Sequence, residues 1–80
     1  MYRPMSSAKL GNRMKQLRAR DGLTQQDVAE QISVTRKTIN TIENGVFVPS
    51  TILALKLAHL FAVPVEDVFY LPSNNLPASS

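Results

Sequence analysis

Cysteine and tryptophan are absent from this 80-residue sequence, and glycine occurs only three times. Without cysteine the chain can form neither a disulfide framework nor a cysteine-ligated zinc site. This composition fits an intracellular protein. A domain of this size must then be held together by its apolar core, and a hydrophobic fraction of 44% is enough to build one.

Long hydrophobic runs are missing as well. The longest apolar stretch, "ILALKLAHLFAVPV", is interrupted by Lys56, His59 and Pro64. It is also shorter than the roughly 20 residues that a membrane-spanning helix needs. The opening "MYRPMSSAKL" has no apolar segment of the secretory type. We therefore expect a soluble, cytoplasmic protein with no membrane partner.

Residues suited to catalysis are equally scarce. His59 is the only histidine, and its helix offers no plausible second metal ligand, so we expect a packed or surface side chain. Glu66 and Asp67 stand together at the start of a predicted helix, where they complement the helix dipole without any catalytic role. The sequence has no phosphate-binding glycine loop and no credible nucleophile constellation. We predict neither enzymatic activity nor a cofactor.

Positive charge is concentrated in the first half of the chain. Residues 1–45 contain eight Lys or Arg against four Asp or Glu, whereas residues 46–80 contain one Lys against two acidic residues. A basic half on a small domain favours an anionic partner, most often a nucleic acid. An ordinary solvated surface explains the charge alone equally well.

Apolar periodicity and capping residues predict helices throughout the chain. A first helix is expected from Asn12, as its N-cap, to about Asp21, with Gly22 ending it. Thr24 is a good N-cap for a second helix, and Asp27 completes a capping box. Val28, Ala29 and Ile32 form the inner face of this second helix.

Three further helices follow. Thr35 caps the third, which ends near Glu43. Ser50 caps the fourth, which reaches about Phe61, and Pro64 suits the first position of a short fifth helix. The fold class is therefore all-α.

One stretch carries a more specific signal. "LTQQDVAEQISVTRKTINTIENG", residues 23–45, reads as two short helices broken at Ser33 and Val34, with small Ala29 where they would cross. This spacing resembles the helix-turn-helix of the lambdoid phage repressors and Cro. With the following "PS" and "VPVEDVF", the sequence is similar to the Xre family of small bacterial regulators from about residue 12 to 69. Ser33 stands where that family usually has Gly, so a left-handed serine is expected in the turn.

The resemblance implies a compact five-helix, lambda-repressor-like DNA-binding domain over residues 9–71, between flexible tails at 1–8 and 72–80. It implies a homodimeric transcriptional regulator of double-stranded DNA, more often a repressor than an activator, with the third helix in the major groove. An antitoxin or a protein-binding module of the same fold is the alternative, with a protein partner. Some small members also pair the chain ends as strands, here "AKLG" with "VFYL". The other possibility is that Val68 and Phe69 finish the fifth helix.

The resemblance also assigns roles to residues. Gln25 matches a position that contacts phosphate and braces the third helix, and Asn44 matches a phosphate-binding position. The groove-facing positions are Thr35, Arg36, Lys37, Asn40 and Thr41. Basic residues at a helix start oppose its dipole; their placement is explained if they serve binding rather than helix stability.

An ion pair is expected inside this arrangement. Arg18 lies four residues after Met14, at the edge of the apolar stripe of the first helix, and Glu43 lies four after Ile39, at the matching edge of the third. Opposite charges beside packed faces should pair, and the resemblance supports the same pairing. The extra apolar residues are expected on a homodimer or partner surface: Val46, Phe47, Val48, Ile52 and Leu55.

Overall fold

The computed structural model describes residues 10–72, in which five helices accompany one two-stranded sheet. In chain order the elements are β1 (Gly11–Asn12), α1 (Met14–Asp21), α2 (Gln25–Gln31), α3 (Arg36–Glu43), α4 (Thr51–Phe61), α5 (Val65–Val68) and β2 (Phe69–Tyr70). The predicted five-helix domain with a short pairing of the chain ends is confirmed. Apart from Pro72, the two predicted tails lie outside the described residues.

Side-chain caps begin three of the helices as predicted. The Thr24 hydroxyl accepts the Asp27 N–H at 2.9 Å, and the Asp27 carboxylate accepts the Thr24 N–H at 2.9 Å. The Thr35 hydroxyl accepts the Thr38 N–H at 3.2 Å. The Ser50 hydroxyl accepts the N–H three residues later at 3.1 Å. Each cap satisfies an N–H that has no partner inside its own helix.

The predicted start of α1 at Asn12 is wrong. Asn12 lies in β1 opposite Phe69, so its backbone is extended and α1 begins at Met14. Its side chain still helps the helix, because Asn12 Oδ1 accepts the Met14 N–H at 3.1 Å. The end of α1 is as predicted: Gly22 adopts the left-handed conformation, with φ of 68°.

The place of Pro64 relative to the start of α5 also differs from the prediction by one position. Its ψ of 153° is extended, so it is the N-cap of α5 rather than the first helical residue. The Pro64 carbonyl accepts the Asp67 N–H at 2.9 Å, which starts the single turn Val65–Val68. Phe69 then returns to extended backbone, so the alternative in which it finishes the fifth helix is wrong.

The two strands pair antiparallel, with Gly11 opposite Tyr70 and Asn12 opposite Phe69. Glycine at the first of these positions leaves room for the Tyr70 ring, since a Cβ on Gly11 would overlap that ring unless it moved. Lys9, which the sequence analysis also places in this pairing, lies outside the described residues. The sheet holds the chain before α1 against the chain after α5.

The core draws on all five helices. The buried apolar residues are Met14, Val28, Ala29, Ile32, Ile39, Ile42, Leu57, Ala58, Phe61 and Val68. Within residues 10–72, none of the helices has the length and apolar character that crossing a membrane requires. Because both isoleucines of α3 face inward, the opposite side of that helix faces outward.

The turn between α2 and α3 sets the angle of this pair. Ser33 has a φ of 63°, the left-handed conformation expected from the comparison with glycine. The Val34 N–H donates to the Ala29 carbonyl at 2.9 Å, which closes the turn. Ala29 is fully buried; its small side chain allows the two helices to approach closely.

Candidate nucleic-acid interface

The outward side of α3 brings most of the predicted site residues together. The exposed residues here are Thr35, Arg36, Lys37, Asn40 and Asn44, and Thr41 is half-buried. Gln25 joins them from the start of α2. The result is one polar, basic surface built on a helix whose other side is fixed in the core.

Gln25 is bound directly to α3. Its Nε2 donates to Asn40 Oδ1 at 3.2 Å and to Glu43 Oε1 at 3.1 Å, and its Oε1 accepts Arg36 Nη1 at 3.5 Å. Gln25 therefore braces the third helix. Both amide hydrogens are used within the protein, so a phosphate contact by this side chain would require one of them to be released.

The structure contains the ion pair between Arg18 and Glu43. Arg18 Nε lies 2.5 Å from Glu43 Oε2, and Nη2 lies 3.0 Å from Oε1. The side chain of Glu43 is 2% exposed and that of Arg18 is 16% exposed. Hydrogen bonding to Glu43 raises the pKa of Arg18 despite the opposing effect of burial. This bidentate pair ties α1 to the end of α3.

A continuous polar network therefore runs from the interior to the surface. Arg18 bonds to Glu43, and Glu43 bonds to Gln25. The Gln25 amide then bonds separately to Asn40 and to Arg36. Side chains in such a network restrict one another's rotamers. The exposed members are thus held in position before any ligand binds.

Asn12 supports the same helix in a way that the sequence analysis missed. Its Nδ2 donates to the carbonyls of Ile42 at 3.2 Å and Glu43 at 3.3 Å. These carbonyls belong to the last turn of α3, where no partner within the helix is available. The contacts span 30 and 31 residues of sequence, so no local pattern signals them.

Arg36 and Lys37 are the basic residues at the start of α3, and no acidic residue stands in its first turn. Within residues 10–72 the two ion pairs are Arg18–Glu43 and Arg20–Asp21. Arg36 and Lys37 thus have no carboxylate partner in that part of the chain. Their charges are available to an anionic ligand.

The remaining predicted residues lie on either side of these charges. The hydroxyl of Thr35 is used in capping, and Thr41 Oγ1 donates to the Thr38 carbonyl at 2.9 Å. Asn44 lies at the C-terminal cap of α3 with its side chain exposed. The predicted set therefore spans α3 from its N-cap to its C-cap.

Two helices crossed at a buried alanine, a tight turn, and a second helix with a basic outer face define a helix-turn-helix DNA-binding domain. The family described as helix-turn-helix matches residues 14–68, which is most of the chain. The protein belongs to this family, as an Xre-type transcriptional regulator.

Relatives in a bacterium and an archaeon align with most of the chain. The chain is similar to the uncharacterised HTH-type transcriptional regulator YgzD of Bacillus subtilis, at 47% identity over 80% of this chain and 97% of that protein. It is also similar to an uncharacterised HTH-type transcriptional regulator of Methanocaldococcus jannaschii, at 47% identity over 72% of this chain and 88% of that protein.

A solved structure shows the same architecture. The SOS-response transcriptional repressor LexA from Eubacterium rectale superposes with a TM-score of 0.63 at 28% identity, over 68% of this chain and 57% of that one. The family consists of DNA-binding transcriptional regulators, which is not a class of enzyme.

Proposed function

We propose that this protein is a homodimeric repressor that recognises a specific operator by placing α3 in the major groove. The carrying observation is the outer face of α3, where Arg36 and Lys37 lack carboxylate partners within residues 10–72. A DNA duplex supplies negative charge along its backbone and hydrogen-bonding edges in its groove. We take residues 9–71 as the DNA-binding domain and the cytoplasm as its location.

Each site residue receives a role from its chemistry. Arg36 reads a guanine, Asn40 pairs with an adenine, and Thr41 meets a thymine methyl group. Lys37 reaches either base or backbone through its flexible stem. Thr35 lies beside the first base pair. Asn44 and Gln25 hold phosphates, the latter after releasing one of its internal hydrogen bonds.

Repression is favoured over activation by the structural relative. The similar LexA domain is a transcriptional repressor by its description. A protein bound across a promoter excludes polymerase without needing any further surface, whereas activation needs a dedicated contact. The expected dimer would place two recognition helices about 34–36 Å apart, one turn of DNA.

A second function is favoured by an apolar groove between the end of α2 and α4, which we call the α4 groove. It has a volume of about 520 Å³ and includes Ile52 and Leu55, which are 69% and 54% exposed. Exposed apolar residues in one groove suit a protein partner. They serve equally as the subunit interface of the repressor or as a partner site in an antitoxin with the same DNA-binding face.

Selection of bound sequences from a random DNA pool tests the proposal. The full chain is used at two stated salt concentrations, because backbone contacts depend strongly on salt. We expect a palindromic site whose half-sites are about 10 base pairs apart. Recovery of unselected sequence at both salt concentrations would contradict specific DNA recognition.

Two substitutions then separate base reading from phosphate binding. Arg36→Ala should cost about 1–3 kcal/mol on the selected site and relax the preference at one base position. Asn44→Ala should weaken selected and scrambled DNA by the same factor, because phosphates carry no sequence information. The two affinities are compared by fluorescence anisotropy across a salt series. An equal loss on both DNAs for Arg36→Ala would make that residue a phosphate contact.

A further inference from the structure

The loop that follows α3 carries two exposed apolar residues beside the proposed DNA-binding face. Val46 is 77% exposed and Phe47 is 47% exposed. Together with Lys37, Thr38 and Thr41 they line a shallow depression of about 320 Å³. We call these five residues the loop depression. The groove that contains Ile52 and Leu55 is lined by a different set of residues.

The loop is held against α3 by its backbone. Gly45 has a φ of 74°, which turns the chain back alongside the helix. The N–H groups of Val46 and Phe47 then both donate to the Thr41 carbonyl, at 2.9 and 3.2 Å. The backbone of these two residues is therefore fixed beside α3.

The lining of the depression is mainly apolar, although it adjoins a basic surface. The Thr41 hydroxyl donates its hydrogen to the Thr38 carbonyl, so this side chain offers an outside ligand a methyl group and an acceptor oxygen but no donor. Val46 and Phe47 add larger apolar surfaces, and Lys37 provides a positive charge. The matching ligand has a small apolar group close to a negative charge.

Two occupants fit an apolar depression on this protein, and its lining residues decide between them. A second copy of the chain seated on Phe47 would cover Lys37 and Thr41, which belong to the face that DNA must approach. DNA has no such conflict. Among the groups exposed in the major groove, the C5-methyl of thymine is the apolar one, and each base lies near backbone phosphates.

We propose that Phe47, supported by Val46, is a specificity-determining residue that contacts the C5-methyl group of one thymine in each half-site. The inference rests on the proposed function, because it requires α3 to lie in the major groove. By this inference Phe47 and Val46 contact DNA, whereas the sequence analysis expected them in the subunit interface. Burial of one methyl group corresponds to about a fourfold change in affinity.

Deoxyuridine substitution tests this contact, because uracil pairs with adenine as thymine does but lacks the methyl group. Each thymine of the selected half-site is replaced in turn, and the affinities of the full-length wild type and Phe47→Ala are measured. At one position we expect wild type to lose about fourfold in affinity and Phe47→Ala to bind both DNAs equally. Leu71→Ala, at an exposed apolar residue that lines neither the loop depression nor the groove with Ile52, should keep the wild-type sensitivity at every position.

Val46→Ser provides a second variant at a highly exposed position, and it should reduce the sensitivity at the same thymine. Circular dichroism checks that every variant folds. If Phe47→Ala and Val46→Ser keep every wild-type thymine-to-uracil ratio, the inference is wrong while the proposed function stands. If Phe47→Ala shifts only the monomer–dimer equilibrium, the residue belongs to the subunit interface and the inference is also wrong. If no specific site is recovered, the proposed function fails and this inference fails with it.

Discussion

Among single residues, Glu43 is the acidic residue of α3, and its side chain is buried. Its carboxylate accepts two N–H groups of Arg18 and one of Gln25. It thus neutralises a charge in α1 and also fixes the glutamine that contacts Asn40 and Arg36. One side chain links the stability of the fold to the position of the proposed reading residues.

Replacing Glu43 should reveal both effects. Glu43→Ala leaves the Arg18 charge largely buried without a carboxylate, with the Leu23 carbonyl as a remaining hydrogen-bond partner. The free energy of unfolding should therefore fall by about 3–5 kcal/mol. Asp21→Ala is the control, because it breaks the exposed pair with Arg20 and should change the stability little. Urea denaturation measures both. A similar loss in the two variants would show that burial does not distinguish the pairs.

In the described part of the chain, residues 10–72, two residues other than glycine are left-handed, and they give a second prediction. Ser33 and Ala62 have φ of 63° and 57°, a conformation that costs side chains with a Cβ about 1–2 kcal/mol. Ser33→Gly and Ala62→Gly should each stabilise the fold by about 0.5–1 kcal/mol, after the entropy cost of glycine is subtracted. Ala19→Gly, on the exposed side of α1, should instead destabilise it by about 1 kcal/mol. Thermal unfolding of the three variants checks the difference in sign.

At the level of whole elements, α2 depends on a capping box that responds to acid. The backbone N–H of Thr24, which donates to the Asp27 carboxylate, and the Thr24 side chain lower the pKa of Asp27 below its ordinary value of 3.8. A carboxylate with a lower pKa in the folded state stabilises the fold above its unfolded pKa. That contribution is lost as the pH falls below 3.8 and through the folded-state pKa.

Asp27→Asn should therefore change the pH dependence of unfolding. The amide still accepts a hydrogen bond but does not titrate, so the variant should lose less stability than the wild type on acidification below about pH 4. Urea midpoints at several pH values measure the two slopes. Asp21 titrates in the same direction, because Arg20 lowers its pKa, and its contribution should be present in both proteins. Identical slopes would mean that the capping box does not titrate in this range.

The elements show which parts of the fold could be predicted from sequence. The caps Thr24, Thr35 and Ser50 were predictable because each hydrogen bond closes within three residues. Asn12 was not, because a strand partner near the other chain end extends its backbone and its amide bonds to α3. Pro64 is the N-cap of α5 and not its first helical residue, a difference that depends on a single ψ angle.

The candidate site likewise has a part that could be predicted from sequence and a part that could not. The exposed face of α3 follows from the inward positions of Ile39 and Ile42 alone, by helical periodicity. The internal bonds of Gln25 and the loop depression depend on contacts between elements, which no short pattern encodes. The sequence analysis therefore predicted the exposed face of α3. It also grouped Phe47 with Ile52, and in the structure these two residues line different depressions.

For the molecule as a whole, the property to test is its assembly into a dimer. A palindromic operator matches a protein with two-fold symmetry. The α4 groove, which contains Ile52 and Leu55, has exposed apolar residues of the kind that a subunit interface buries. Leu55→Glu puts a charge into this groove at a position that is already exposed. It should prevent dimerisation, because burying an unpaired charge is costly, while leaving the fold intact.

Analytical ultracentrifugation at micromolar concentration tests the dimer with and without operator DNA. Wild type should sediment as a dimer, and Leu55→Glu as a monomer that still binds a single half-site weakly. Thr51→Glu, on the same helix but outside the groove, should remain dimeric; near the start of α4 an added negative charge also suits the helix dipole. Monomeric wild type under both conditions would contradict the dimer. Dimeric Leu55→Glu would place the subunit contact outside the α4 groove, and the groove would then be free for a different protein.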